Sequence, residues 1–232
     1  MQESIAISDR RRRNGVMLLL VVAGIIIADQ AMKIWVKTSF YMGEDLPLFS
    51  WFHLKFIENN GMAFGMELTS KLFLTFGRLA VVCLLIWLLL KIRGMRTLRR
   101  GFLVAMALIT AGATGNIFDC VFYGVAFNNP MPPETAVLFP DGGGYAGWFE
   151  GRVVDMLYFP LFDFVWPEWM PFVGGQYYEF FAYIFNIADA AICVGVALLI
   201  FFYSRDTGIA YAVLTRPRSG KGLNEGKRKG MK

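Results

Sequence analysis

Four long apolar runs, separated by polar or basic stretches, dominate the chain. They predict membrane-spanning helices at residues 16–36, 72–90, 102–118 and 180–203, because each run is close to the ~20 residues that cross a hydrocarbon core. A polar, basic tail (1–15) precedes the first run. The tail after the last run (204–232) shows no apolar periodicity, and we expect it to be disordered. The pattern therefore predicts one membrane domain over residues 16–203.

The first apolar run also has features of a secretory signal peptide, since four consecutive arginines stand before it. No small-residue cleavage site follows, and the chain continues directly into Asp29-Gln30-Ala31-Met32-Lys33. We therefore expect this run to be retained as the first spanning helix.

The connections between the runs have patterns of their own. Within 38–70, Phe52, Leu54 and Phe56 alternate with polar neighbours, which is typical of a strand and predicts a small sheet on the membrane surface. Residues 124–151 are rich in Gly and Pro and predict a long irregular loop. Residues 158–181 are crowded with aromatic side chains, which favours an amphipathic segment at the membrane interface. The expected fold class is an all-α integral membrane protein of four helices with these two additions.

Charge and composition exclude several function classes. The chain is 56% hydrophobic with a net charge of +5, and its basic residues form no face that would bind nucleic acid. Instead, 17 of the 23 Lys and Arg residues lie in the N-terminal tail, in residues 91–100 and after residue 203. Four helices put all three segments on one side, which the positive-inside rule makes cytoplasmic. Three dispersed cysteines argue against a disulfide framework and a zinc site, and the single His53 excludes a multi-histidine metal centre. We expect no cofactor.

Helix length then predicts that several polar residues share one level. At 1.5 Å per residue, Asp29, Asn116 and Asp189 each lie about 20–22 Å from the cytoplasmic end of their helices. Asp119 lies one turn further out, and Asp155 follows in the next connection. We therefore expect a single site in the outer half of the membrane, beneath the two long connections.

The chemistry of this site remains open between three alternatives. Two carboxylates in a partly desolvated site do not both ionise easily, so one keeps a proton, and the pair can then hydrolyse a peptide bond. Alternatively, the residues form a proton or cation relay of a transporter, although the inner half of the membrane offers no further polar steps. A purely structural polar cluster is the third alternative. The candidates are Asp29, Lys33, Asn59, Asn60, Asn116, Asp119, Arg152, Asp155, Asn186 and Asp189.

The order of five short motifs adds a family resemblance. The sequence resembles the lipoprotein signal peptidases (signal peptidase II), which are bacterial four-helix aspartic peptidases. The motifs are 29–33, 59–65, Gly115-Asn116-Ile117-Phe118-Asp119, Val153-Val154-Asp155-Met156 and Phe185-Asn186-Ile187-Ala188-Asp189. Each is short, but all five stand in the order that the family uses.

The resemblance implies an enzyme of the bacterial inner membrane with both termini cytoplasmic. It would remove the signal peptide of a diacylglyceryl-modified prolipoprotein, cleaving just before the lipid-bearing Cys, and globomycin would inhibit it. Asp155 and Asp189 would be the catalytic pair. The expected partners are this substrate and membrane lipids, and the protein is expected to be monomeric. Substrate binding or support of the pair would fall to Asp29, Lys33, Asn60, Gly61, Asn116, Asp119, Arg152 and Asn186.

Two departures from the family pattern qualify this picture. The family usually has Arg directly after the Asp of the third motif, where this chain has Cys120. Either Arg152 or Arg78 can supply the missing cation, and we favour Arg152 because it stands three residues before Asp155. The 124–151 loop is also longer than the family's usual connection, so its role is open.

Overall fold

The computed structural model describes residues 2–59 and 71–215, and it contains helices and two small antiparallel sheets in this part of the chain. The helices are α1 (Gln2–Ser39), α2 (Lys71–Ile92), α3 (Arg100–Ala126), α4 (Ile187–Phe202) and α5 (Ser204–Thr215). The strands are β1 (Asp45–Phe49), β2 (Phe52–Asn59), β3 (Val153–Tyr158), β4 (Phe162–Val165), β5 (Tyr177–Phe180) and β6 (Ile184–Phe185).

Three of the described helices, α1, α2 and α3, are long and apolar enough to cross a membrane. The fourth predicted span corresponds to α4 with α5, which are bent by 92° at the break between them and count as one span only if the pair is taken together. Candidate spans therefore lie where the first three spans were predicted. However, α1 begins at Gln2 and α3 continues to Ala126, since no proline interrupts either helix.

The predicted bounds of the fourth helix and of the C-terminal tail were wrong. Residues 177–180 and 184–185 are strands, and α4 begins at Ile187, after the cap residue Asn186. The expected disordered tail is helical over 204–215, as α5. Asp206 in its first turn is buried and accepts hydrogen bonds from the Arg99 backbone at 2.9 Å and from Arg99 Nε at 2.8 Å. This ion pair fixes α5 against the start of α3.

Helix α3 is the centre of the bundle. Half of its apolar window is buried inside the protein, against 17% for α1 and α2, and α1, α2 and α4 all pack on it. Small residues permit this close packing. A Cβ added at Gly112 would lie 2.2 Å from the carbonyl oxygen of Ala188 in α4, so the two backbones touch there.

A four-stranded antiparallel sheet caps this bundle, in the order β1-β2-β3-β6. Strands β1 and β2 come from the predicted surface sheet, and the alternation in β2 is confirmed because Leu54 and Phe56 are buried. The other two strands come from the connection between α3 and α4, which the all-α assignment did not include. The fold is therefore mixed helix and sheet. Asp155 pairs with Ile57 in the register of β3 and β2, so the sheet fixes its position.

The aromatic-rich segment contains a second sheet, the hairpin of β4 and β5. The rings of Phe162 and Phe180 stack across it with centroids 4.6 Å apart. Many of its aromatic side chains are exposed, and a place at the membrane interface stays a prediction. The most exposed include Phe172 and Trp169.

The long connection from residue 127 to residue 152 folds back along the last turns of α3. Its backbone amides at Phe139, Tyr145 and Gly151 donate to the carbonyls of Ala126, Phe127 and Cys120 respectively. A Cβ at Gly151 would lie 2.0 Å from the carbonyl oxygen of Asp119, so only glycine permits this approach. The connection thus delivers β3 directly beside Asp119.

We expect Gly112→Val to lower the stability of the protein, because the added side chain would force α3 and α4 apart. Overpacking of this kind costs about 1–3 kcal/mol. The measurement is the midpoint of thermal unfolding in detergent. Gly24→Val is the matched control, since a Cβ at that position in α1 meets nothing within 4 Å. Equal midpoints for the two variants would contradict the close α3–α4 contact.

Candidate active site

A buried ion cluster joins α1 to α3. Lys33 Nζ lies 2.8 Å from Asp29 Oδ2, 2.7 Å from Asp119 Oδ2 and 2.9 Å from Asn116 Oδ1. All three charged side chains are almost completely buried. A charge in such a place is tolerated when it is paired and hydrogen-bonded, and each member of this cluster has such partners.

Two residues that sequence reasoning did not select complete this cluster. Gln30 Nε2 donates to Asp119 Oδ1 at 2.8 Å and to Asp29 Oδ2 at 3.2 Å, and its Oε1 accepts from Tyr123 Oη at 3.0 Å. A signal for Tyr123 was present, because it stands four residues after Asp119 and therefore lies on the same helical face. Gln30 stands inside the first motif but was not assigned a role.

The N-terminus of α4 brings the next two site residues into place. Asn186 and Asp189 form a capping box: Asn186 Oδ1 accepts from the Asp189 backbone at 2.9 Å, and Asp189 Oδ2 accepts from the Asn186 backbone at 3.4 Å. A carboxylate in the first turn is also favoured by the helix dipole. Asp189 therefore stands at the beginning of α4. Its Oδ1 accepts a hydrogen bond from Asn116 Nδ2 at 2.7 Å.

Strand β3 supplies the remaining carboxylate. Asp155 Oδ1 accepts from Asn186 Nδ2 at 2.7 Å, and the same amide contacts Asn116 Oδ1 at 3.1 Å and the Val154 carbonyl at 3.2 Å. Two asparagine amides thus connect the two carboxyl groups. Burial raises the pKa of Asp155 to about 7, and the negative charge of Asp189 adds to this rise. Asp155 consequently keeps its proton over a range in which an exposed aspartate is ionised.

The two carboxyl groups line one cavity of about 510 Å³ between α2, α3, α4 and the sheet. Phe73, Leu74, Val81 and Val82 make the wall on α2 mostly apolar. The polar lining residues are Asn59, Arg78, Asn116, Asp155 and Asp189. A larger cavity of about 790 Å³ lies at the opposite, basic end of α1 and α2 and has no carboxylate in its lining. The smaller cavity is therefore the one with the chemistry of an active site.

The two arginines considered for the missing cation lie in different surroundings. Arg152 Nη1 contacts Glu58 Oε2 at 3.1 Å and Asn129 Oδ1 at 3.3 Å, and Lys37 pairs with the same glutamate. Arg78 lines the cavity of the two aspartates, and its Nη1 lies 3.7 Å from Cys120 Sγ. The geometry thus favours Arg78, where the sequence had favoured Arg152.

The structure brings together most of the predicted site residues. Asn60 and Gly61 lie outside the described residues, whereas their neighbour Asn59 lines the cavity. Among residues 2–59 and 71–215, no group of three or more His, Cys, Asp or Glu side chains is arranged to hold a metal ion. The arrangement is thus one of two carboxyl groups held by amides beside a cation.

The family described as signal peptidase (SPase) II matches residues 21–205, which include all of these site residues. The chain belongs to the signal peptidase II family. The lipoprotein signal peptidase of Porphyromonas gingivalis is 44% identical over 199 residues, covering 86% of this chain and 88% of its own length. That of Amoebophilus asiaticus is 34% identical over 181 residues, covering 75% of this chain and 72% of its own length.

Two solved structures of bacterial membrane enzymes share the fold of this signal peptidase II family member. One, at 2.3 Å resolution, superposes with a TM-score of 0.55 at 21% identity and covers 83% of this chain and 90% of its own. The other, at 1.9 Å, has a TM-score of 0.52 at 22% identity and covers 87% and 94% respectively. These likenesses concern the fold alone.

The raised pKa of Asp155 makes the stability of the protein depend on pH. The unfolded chain has an ordinary aspartate with a pKa of about 3.9, whereas the folded value is about 7. The folded state therefore holds this proton more tightly, so stability is highest below pH 4 and falls as the pH rises toward 7. Above pH 7 this contribution is constant.

We expect Asp155→Asn to remove this pH dependence. Relative to the unmodified protein, the unfolding midpoint of the variant should rise between pH 4 and pH 7 and should then stay constant above pH 7. Thermal unfolding in detergent at stepped pH measures it, with Asp141→Asn as the control, because Asp141 is exposed. A difference that does not change with pH would show that Asp155 titrates as an ordinary aspartate.

Proposed function

We propose that this protein is an aspartic endopeptidase that removes signal peptides from diacylglyceryl-modified prolipoproteins, cleaving just before the lipid-bearing Cys. The observation that carries the proposal is the pair of carboxyl groups, Asp155 and Asp189, in one cavity and joined through the amides of Asn116 and Asn186. Membership of the signal peptidase II family supports it. The names of the curated relatives support the same substrate class.

In the proposed reaction, the two aspartates divide the proton transfers of peptide hydrolysis. Asp155, with its raised pKa, holds a proton in the resting enzyme, and Asp189 accepts a proton from the attacking water. Asp155 then protonates the nitrogen of the leaving segment. The proton of the pair is shared, so the pH dependence of cleavage reports the pair as a unit.

The surroundings of the pair fit a lipidated peptide. Phe73, Leu74 and Val81 of α2 form an apolar wall of the cavity, which suits a hydrophobic signal sequence. At the sheet, the rings of Phe52 and Phe159 stack at 4.8 Å, and those of Phe159 and Phe185 at 5.6 Å. We propose that this aromatic edge and the β4–β5 hairpin hold the substrate at the membrane surface.

The distribution of charge supports an orientation. The arginines at residues 10–13 and the basic connection between α2 and α3 lie at the opposite end of the helices from the proposed pair. By the positive-inside rule we propose that the basic end is cytoplasmic and that the pair faces the outer side of the inner membrane. We also propose that the enzyme acts as a monomer and is inhibited by globomycin.

Asp155→Asn and Asp189→Asn should each reduce cleavage by at least a factor of about 1,000, because an amide keeps the shape but does not exchange the proton. The assay is cleavage of a diacylated prolipoprotein by purified protein in detergent, without an ion gradient. Asp141→Asn, at an exposed position, is the control for aspartate substitution in general. The same prolipoprotein without its lipid should be cleaved much more slowly.

Retained turnover in either variant, at normal levels of folded protein, would remove that aspartate from the proposed pair. Absence of cleavage by the unmodified protein would instead reopen the relay hypothesis, since a transporter needs a gradient and cleaves nothing.

The cavity cation gives a further prediction. Arg78→Gln should reduce cleavage more than Arg152→Gln, because Arg78 lines the cavity of the pair whereas Arg152 contacts Glu58 and Asn129. Arg78→Lys should recover part of the loss, since it restores the charge without the planar fork. Initial rates over a range of substrate concentrations separate binding from turnover. The opposite ranking would return the role to Arg152.

A further inference from the structure

A groove lies between α1 and α2 at the basic end of the bundle. Both helices pack on α3, while they make few contacts with each other, and the cavity of about 790 Å³ fills the space between them. Thr110 of α3 lies at its floor. Within the described part of the chain, none of its lining residues is acidic, and it shares no lining residue with the cavity of Asp155 and Asp189.

One part of the groove is apolar. Leu18, Leu19 and Val22 of α1 face Ile86 and Leu90 of α2 across it. From Arg11 to Val22 the groove follows α1 for about 16 Å at 1.5 Å per residue. This length is close to half of the ~30 Å hydrocarbon core, that is, to the depth of one leaflet.

The other end of the groove is cationic. Arg11, Arg12 and Arg93 line it, and among the described residues the buried Nε of Arg93 has no hydrogen-bond partner. The Arg93 carbonyl accepts from the buried side chain of Asn14 at 2.8 Å, which fixes the backbone at this position. A Cβ at Gly15 would lie 2.7 Å from Arg93 Nη1, so the glycine leaves room for the guanidinium against α1.

The depth of the cationic end matches a lipid headgroup. Trp87 is half exposed on α2, and Lys91 Nζ lies 4.4 Å from the centre of its ring. Tryptophan on a spanning helix marks the headgroup level, and Arg93 lies just beyond it at the end of α2. Guanidinium groups bind phosphate oxygens in a bidentate geometry. A charged end and an apolar trough therefore occur together in a groove that is about one leaflet deep.

We propose that this groove binds one anionic phospholipid of the cytoplasmic leaflet. The phosphate contacts Arg11, Arg12 and Arg93. One acyl chain lies along α1 and packs against Leu19 and Val22. The bound lipid fills the gap that α1 and α2 leave, so it joins two helices that otherwise meet through α3. The proposal does not depend on the peptidase reaction, since the groove and the carboxylate pair are separate.

The test is native mass spectrometry of the delipidated full chain in detergent, titrated with phosphatidylglycerol or with phosphatidylcholine of the same acyl chains. We expect one phosphatidylglycerol per chain, bound at least tenfold more tightly than phosphatidylcholine. The triple variant R11Q/R12Q/R93Q should bind the two lipids equally. The control triple R13Q/R100Q/R205Q removes the same charge at exposed positions outside the groove and should stay within twofold of the unmodified protein.

A second pair of variants tests the apolar part without changing charge. Val22→Trp fills the groove and should lower phosphatidylglycerol binding at least tenfold, whereas Leu20→Trp, at an exposed position outside the lining, should leave it unchanged. These variants decide the question if the arginine triple fails to fold. Equal binding of the two lipids by the unmodified protein would overturn the proposal. An equal loss in the control triple, or displacement of the lipid by millimolar glycerol phosphate, would also overturn it.

Discussion

The buried lysine of α1 is the interaction on which the rest of the site depends. Lys33 neutralises part of the charge of Asp29 and Asp119, and each of these carboxylates also holds a backbone amide of another element. Asp29 Oδ1 accepts from the Ala188 backbone at 2.9 Å, and Asp119 Oδ2 accepts from the Val154 backbone at 3.4 Å. Ala188 and Val154 are the residues next to Asp189 and Asp155. One ion cluster therefore positions both elements that carry the proposed pair.

The two asparagines lie between the carboxyl groups of the cavity and hydrogen-bond to them. Carboxylates that face each other in a buried site repel, and that repulsion is part of why the pKa of Asp155 is raised. Asn116 and Asn186 stand between them, each giving a short N–H contact to one of them and accepting from another group. An amide carries no charge, so it connects the two groups without adding to their repulsion, and the N–H donated by Asn186 opposes part of the rise in the pKa of Asp155.

Sequence reasoning predicted this site better than it predicted the fold that builds it. Asp29, Lys33, Asn116, Asp119, Asn186 and Asp189 were found because a charged or amide residue is costly in an apolar helix, so its presence is itself a signal. The strands β3 and β6 gave no comparable signal. They are short, they follow a Gly- and Pro-rich stretch, and they pair with residues about 100 positions away or across a long connection. Such pairing depends on the tertiary structure.

The choice between Arg78 and Arg152 also depended on the tertiary structure, which the sequence does not give. Nearness in sequence favoured Arg152, three residues before Asp155. In an antiparallel sheet, however, neighbouring residues point to opposite faces, and the distance along the chain does not give the direction of a side chain. Arg152 pairs with Glu58 across the β2–β3 edge, whereas Arg78 reaches the cavity from a helix that is remote in sequence.

Close backbone approach is the condition that makes this arrangement possible. Gly112 and Gly115 let α3 lie against the start of α4, and a Cβ at Gly115 would come within 2.9 Å of Asp29 Oδ2. If larger residues stood there, Asp29 would no longer reach the Ala188 amide, and the N-terminus of α4 would move away from Asn116. The polar cluster therefore depends on the glycine contacts. Its hydrogen bonds need the helices to lie close together, and the glycines allow this close packing.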